Sequence, residues 1–209
     1  MPILTRLACF QGERGEEPNM ELARELAETE DTAGIAEVAA GLAHKDKAIQ
    51  SDCIKVLYEA GAIKPALIAP YATQFIALLE SKNNRMVWGA MTALATLACT
   101  APEAISANVG AILAAMAKGS VITVDNGVKA LALAASRDGA FNKDVFPFLS
   151  DHLKTCRSKE IPQHAESTFP AVNASNRAEF LQTLQSREPE LTPPQLARVR
   201  KLYRQAEMI

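Results

Sequence analysis

The sequence predicts an all-α protein, a right-handed α-α superhelix of about four two-helix repeats with terminal capping helices. Three observations predict this fold. Apolar residues recur with the spacing of one helix face, these faces repeat every 37 residues, and helix-capping and helix-breaking residues keep the same period. Because one helical hairpin cannot bury its own apolar face, such repeats are stable only when they stack.

The first helix of each repeat, helix A, is indicated by three apolar columns. Each column advances by 37 residues, and the columns lie three and four residues apart on one helix face. They are Ile35, Ala72, Val109 and Phe146; Val38, Phe75, Ile112 and Leu149; and Leu42, Leu79, Met116 and Leu153. We predict helix A over 33–43, 70–81, 107–118 and 144–155.

The second helix, helix B, keeps the same period. Its apolar columns are Ile54, Met91 and Val128, and Leu57, Leu94 and Leu131, continued weakly by Ala165 and Thr168. Asp46, Asn83 and Ser120 share one column just before helix B, where their side chains are good N-caps. Pro65, Pro102 and Gly139 share another column and mark the link between repeats. We predict helix B over 47–61, 84–99, 121–136 and 159–172.

The ends depart from the period. Residues 1–18 are predicted to form a flexible leader, and the repeat domain covers 19–172, with Asn19 capping a short helix over Met20–Glu30. Residues 173–209 are predicted to add two capping helices to the same domain, one after Ser175 over 177–186 and one after Thr192 over 193–207. The last helix carries a basic side, formed by Arg198, Arg200, Lys201 and Arg204. A solvated cap is the favoured interpretation of this side, and a docking site for an acidic partner is the alternative.

The stretch from Asn84 to Ala98 is similar to the second-helix signature of the HEAT-repeat family, which is related to the armadillo-type solenoids. The resemblance covers roughly residues 33–172. One column departs from the family pattern, because Ser51, Trp88, Asp125 and Pro162 stand where the family usually places an arginine. The resemblance implies the fold and leaves the function open, since one fold hosts many functions.

The composition of the chain argues against several functional classes. The net charge of −2 disfavours general nucleic-acid binding, and no apolar stretch reaches the ~20 residues of a membrane span. The four cysteines are far apart, which predicts a reducing cytoplasm rather than a disulfide framework. We predict no catalytic residue, no cofactor and no metal site. His152 and Cys156 are four residues apart, but two ligands do not make a zinc site, and the sequence leaves open whether His164 approaches them.

The helix B columns that are not used for packing are expected to line the concave face of a HEAT-like stack. We predict a binding patch there, made of Arg85, Trp88, Asp125 and Lys129. Tryptophan and arginine are enriched at binding hot spots, and Gly89 is expected to leave room for a partner. The alternative is that a small helix rotation buries Trp88 in the core.

These features favour a non-catalytic scaffold that binds another protein or a peptide on its concave face. The alternative is a HEAT-like enzyme, because one family of DNA-repair glycosylases and some bilin lyases are built from HEAT-like repeats. The sequence leaves the identity of the partner and the oligomeric state open.

Overall fold

The computed structural model describes residues 2–12 and 15–209, and all regular structure in these ranges is helical. The chain forms two compact units, the first extending to Gly127 and the second covering Val128–Ile209. The first unit contains α1 (Ala8–Gln11), α2 (Glu17–Glu28), α3 (Thr32–Ala40), α4 (Lys47–Ile63), α5 (Pro65–Ile68), α6 (Ala72–Leu78), α7 (Asn84–Leu97), α8 (Pro102–Ser106) and α9 (Val109–Lys118). Helix α10 (Val121–Ala135) spans the boundary, and the second unit adds α11 (Gly139–Thr155), α12 (Ile161–Thr168), α13 (Arg177–Arg187) and α14 (Pro193–Ala206).

The predicted repeat is confirmed by burial. Every helix B column residue is fully buried, including the weak members Ala165 and Thr168. The helix A columns are buried as well, apart from the half-buried Val109. In the first unit α4 packs against both α2 and α7, and in the second unit α11 packs against α13 and α12 against α14. The 37-residue period therefore records a recurring set of buried helix faces.

The predicted N-caps of helix B form the expected hydrogen bonds. The Asp46 carboxylate accepts from the Ala48 N–H at 2.8 Å, and the Asn83 side-chain oxygen accepts from the Arg85 N–H at 3.1 Å. The Ser120 hydroxyl accepts from the Thr123 N–H at 3.4 Å. These bonds satisfy backbone donors that the first helical turn leaves unpaired, which is why the helices begin where they do.

The link column behaves differently from the prediction. Pro65 and Pro102 do not simply separate repeats, because each is the first residue of an extra short helix, α5 and α8. Proline suits this position, since its missing N–H would have no intrahelical partner there and its φ is already helical. In the next repeat Gly139 begins α11, which runs without a break to Thr155 and is capped by Asp138.

The predicted flexible leader also differs from the structure. Residues 3–6 form a 3-10 helix, α1 follows, and Leu7 is completely buried. Asn19 lies inside α2 rather than capping it, and its side-chain oxygen accepts from the Ala8 N–H at 3.0 Å. Apolar contact and this bond hold the segment against α2. Met1, Glu13 and Arg14 belong to the same predicted leader and lie outside the described residues.

The C-terminal helices form close to their predicted bounds. Asn176, rather than Ser175, is the residue that precedes α13. Buried Asn142 of α11 explains this, because its side-chain oxygen accepts from both Asn173 and Asn176, each at 3.1 Å. Its amide nitrogen donates to the carbonyl of Ala171 at 2.8 Å. The connection between α12 and α13 is therefore held by tertiary hydrogen bonds that no local pattern announces.

Candidate protein-binding site

The predicted patch is built on the packing of α4 against α7. This packing is close because Gly89 of α7 faces Ile54 of α4, and a Cβ at Gly89 would lie 2.7 Å from the Ile54 Cγ1. Gly89 is buried, so the expectation that it leaves room for a partner is wrong. The missing side chain instead lets the two helices approach, and this positions the outward-facing residues of both helices beside each other.

Trp88 and Arg85 lie together on α7, as predicted from their spacing. The Arg85 guanidinium stacks over the indole ring, 4.1 Å from the ring centroid. The indole also contacts the Tyr58 ring of α4, with centroids 6.1 Å apart and planes tilted by 47°. Trp88 is half-buried, so it is neither a core residue nor a fully exposed one. Such cation–π and tilted aromatic contacts hold the ring in one orientation.

A lysine completes this surface from α4. Lys55 is buried along its stem, and its Nζ lies 5.1 Å from the Tyr58 ring centroid. The ammonium donates to the Glu59 carboxylate at 2.7 Å. We name the surface formed by Lys55, Tyr58, Arg85 and Trp88 the cation–aromatic cluster.

The cation–aromatic cluster binds a carboxylate from the chain's own N-terminal segment. Glu16 lies between the two cations, 3.0 Å from the Lys55 Nζ and 2.7 Å from an Arg85 guanidinium nitrogen. Burial alone would raise the pKa of Glu16, but the ion pairs with Lys55 and Arg85 lower it below its ordinary value. Burial would likewise lower the pKa of Lys55, yet hydrogen bonds to Glu59 and Glu16 raise it. The cluster therefore stabilises an ionised carboxylate.

A second contact holds the same N-terminal segment against α4. The Cys9 N–H at the start of α1 donates to the Asp52 carboxylate at 2.8 Å. Burial, followed by the neighbouring Asp52, raises the pKa of the Cys9 thiol to about 11. The segment thus meets α4 at two points, Asp52 and Lys55, which are nearly one helical turn apart.

The other two predicted patch residues lie on α10. Asp125 is half-buried in the first unit, and Lys129, four residues later, is exposed in the second. The geometry thus joins Arg85 with Trp88, and the inclusion of Asp125 and Lys129 in one patch stays a prediction.

The predicted patch omitted two members of the cation–aromatic cluster, Lys55 and Tyr58, and the carboxylate bound to it, Glu16. Lys55 carried a usable signal, because it shares the non-packing column of Lys129 and stands four residues before Glu59. Tyr58 adjoins the apolar column of helix B and is indistinguishable from a core residue by periodicity. Glu16 is 39 residues from Lys55 and 69 from Arg85, so only the folded chain brings it to the cations.

The basic side of the last helix is partly engaged within the second unit. Arg198 of α14 forms a two-pronged ion pair with Glu166 of α12, at 2.9 and 2.6 Å. Arg200, Lys201 and Arg204 are exposed. The Arg198 pair fastens α14 to the repeat, as expected for a cap, and the alternative of acidic-partner docking stays a prediction.

Comparison with known proteins confirms the fold. A designed armadillo repeat protein, solved in complex with the peptide (KR)4, superposes with a TM-score of 0.69 at 12% identity, covering 88% of this chain and 85% of that one. An engineered protein superposes with a TM-score of 0.67 at 18% identity, covering 100% of this chain and 98% of that one, and a second does so with 0.67 at 18%, covering 99% and 97%. The chain has an armadillo/HEAT-like helical repeat fold.

Sequence comparison adds no relative. No protein-family model matches the chain, and no curated protein matches it. In the structure, no helix within residues 2–12 and 15–209 is both long enough and apolar enough to cross a bilayer.

Proposed function

We propose that the protein is a non-catalytic, protein-binding scaffold whose cation–aromatic cluster binds an acidic segment of its partner. The observation that carries this proposal is the position of Glu16, whose carboxylate already occupies the cluster as a partner's carboxylate would. Helical-repeat folds present extended surfaces for such binding. A designed protein of this fold binds a peptide, which supports the same class of function here.

Charge favours an acidic partner over a basic one. Without Glu16, the ion-pair network consists of Lys55, Arg85 and Glu59, which together carry one net positive charge. The half-buried indole and the buried lysine stem supply apolar contact beside that charge. A carboxylate flanked by an apolar group matches this arrangement, and a lysine- or arginine-rich peptide would meet repulsion.

The Glu16 contact also implies competition. An acidic partner must displace Glu16, so the free chain holds its own surface in a partly closed state. A solvent-accessible ion pair contributes about 0.2–1 kcal/mol and Glu16 forms two, so removing its charge should tighten partner binding by roughly 2- to 30-fold. Glu16 therefore weakens the apparent affinity for the partner without abolishing binding.

Trp88 makes the proposal testable because it is the only tryptophan in the chain. We would titrate the protein with twelve-residue peptides carrying alternate glutamates and would follow tryptophan fluorescence, using glutamine and lysine versions of each peptide as controls. Saturable binding of glutamate peptides alone is expected. The E16Q variant should bind them more tightly, and E17Q, which removes the same charge from an exposed neighbour outside the cluster, should not.

Calorimetry would then measure peptide binding by the Trp88→Leu and Arg85→Gln variants. Loss of a hot-spot side chain costs about 2 kcal/mol or more of binding free energy, so each variant should lose about 30-fold in affinity. Preference for the lysine peptides would overturn the acidic assignment. Equal affinity of E16Q and E17Q would refute the competition. Salt-dependent binding of DNA, in place of any peptide, would favour the glycosylase-like alternative instead.

A further inference from the structure

The second unit contains a group of metal-ligand side chains that the predicted function does not use. His152, Cys156 and His164 each direct one ligand atom into a common space, and these three atoms lie within 4.8 Å of one another. We name these residues the His–Cys cluster. The expectation of no metal site left open whether His164 approaches His152 and Cys156, and the structure brings it to them.

Two helix ends create the His–Cys cluster. His152 lies in the last turn of α11, and Cys156 ends that helix, so the i, i+4 spacing places both side chains on one face. Cys156 is extended, with ψ of 160°, and the chain turns back through a 3-10 helix over Ser158–Glu160 into α12. His164, only 1% exposed, then faces the end of α11. The ligands therefore come from rigid elements rather than from a loose loop.

The two imidazole rings already share a hydrogen bond where a metal would lie. The His152 Nε2 and the His164 Nδ1 are 2.8 Å apart, and the ring centroids are 4.7 Å apart. One nitrogen carries the proton and the other accepts it, since neutral imidazole has one donor and one acceptor. A cation between them would bind a lone pair of each ring, because the donor ring can carry its proton on its other nitrogen instead.

The nitrogen–nitrogen separation is close to that around a tetrahedral ion, and all three ligand atoms lie within 4.8 Å of one another. Zinc lies about 2.0–2.1 Å from histidine nitrogen and about 2.3 Å from cysteine sulfur, so its ligand atoms are roughly 3.3–3.6 Å apart. The two nitrogens need to open by about half an ångström from 2.8 Å, which a small ring rotation supplies. Two imidazoles and a thiolate select zinc over magnesium or calcium, which prefer oxygen ligands.

The surroundings hold the ligands in place. The Phe148 ring stacks on His152, with planes 22° apart and centroids separated by 6.2 Å. Arg187 donates to the carbonyls of Leu153 and Cys156, at 2.7 and 2.8 Å, and so holds the end of α11 in place.

We propose that the His–Cys cluster binds one zinc(II) ion through the His152 and His164 rings and the Cys156 thiolate, with the fourth position left to water or an added ligand. Binding releases the thiol proton to solvent, and both imidazoles stay neutral with their protons on the nitrogens that face away from the ion. The ion would fasten the end of α11 to α12. The proposal is independent of the cation–aromatic cluster, all of which lies in the first unit.

Cobalt(II) titration tests the site directly, because tetrahedral cobalt absorbs in the visible and a cobalt–thiolate bond adds a near-ultraviolet charge-transfer band. We expect one cobalt per chain, with that band present, and its loss when zinc is added. C156S should lose the band, and H152Q should weaken cobalt binding by at least about 100-fold, as ligand loss should exceed the 10- to 100-fold effect of outer partners. C99S and H44Q, which change exposed residues of the same types, should leave both unchanged.

A second measurement needs no substitution in the cluster. Zinc should slow alkylation of Cys156 in the wild-type chain, mapped by mass spectrometry, while leaving exposed Cys99 unaffected. The proposal is overturned if no thiolate band forms at cobalt excess, if C156S retains it, or if zinc fails to protect Cys156. The alkylation experiment uses the wild-type chain, so it tests the site even if C156S or H152Q misfolds.

Discussion

Replacing Gly89 with alanine tests the close approach of α4 and α7 on which the cation–aromatic cluster is built. In an isolated helix this change would stabilise by about 1 kcal/mol, because glycine is a poor helix former. Here the new Cβ would lie 2.7 Å from the Ile54 Cγ1 and 3.1 Å from its Cγ2. Optimal carbon contacts are about 3.5–4.0 Å, so the helices must separate or Ile54 must move.

Overpacking of this kind costs about 1–3 kcal/mol, and a β-branched residue in a helix has little rotamer freedom to relieve it. The net effect of G89A is therefore a loss of about 1 kcal/mol. The matched control is G110A in α9, where a new Cβ meets nothing within 4 Å. That variant should gain up to about 1 kcal/mol. The two alanine variants should thus differ by about 2 kcal/mol.

Urea unfolding followed by Trp88 fluorescence measures the effect, since both glycines and the tryptophan lie in the first unit. Ile54→Ala should remove the overpacking penalty of G89A, giving a favourable coupling energy of about 2 kcal/mol in a double-mutant cycle. Ile54→Val keeps both γ carbons and should suppress it far less. If G89A is stabilised as much as G110A, then Gly89 faces open space and α4 and α7 do not approach closely at this point.

Three further outcomes are expected. The pKa of Glu16 is lowered from its ordinary 4.5, so the ion pairs of Glu16 stabilise the fold above pH 4.5. This stabilisation is lost as the pH falls through the lower pKa of the folded state. An acid titration followed by Trp88 fluorescence should show the transition, and E16Q should remove it. Asn142→Leu should lower the free energy of unfolding by about 2–4 kcal/mol, because it leaves buried polar partners between α12 and α13 without hydrogen bonds. Urea unfolding followed by circular dichroism measures this, and a loss under about 1 kcal/mol would show that these bonds are dispensable. With a thiol reagent at pH 8, Cys99 should react before Cys9, because partial burial and the neighbouring Asp52 raise the pKa of Cys9 to about 11 and keep its thiol protonated. Faster reaction of Cys9 would contradict these surroundings of the thiol.

The periodic part of the fold was predictable because each signal was local. Asp46 and Asn83 cap the helices that follow them within the next two residues, so their function is written in adjacent sequence. Pro65 shows the limit of such signals, since a proline fits both a link and the first position of a helix. Only packing of the residues that follow it decides that α5 forms.

The candidate sites were predictable only within a helix. The spacing of Arg85 and Trp88, and that of His152 and Cys156, follows from 3.6 residues per turn. Glu16 and His164 were beyond sequence reasoning, because each reaches its partners from a different helix. Gly89 was misinterpreted for the same reason: its neighbour is Ile54, 35 residues away.

The sequence by itself determined the helical repeat, its 37-residue period, its caps and its buried columns, because these depend on residues a few positions apart. The tertiary structure alone decided which surface a carboxylate occupies and that two histidines and a cysteine meet. Those pairings depend on how separate helices pack, and a side chain at a helix surface carries no local record of the chain segment that will lie against it.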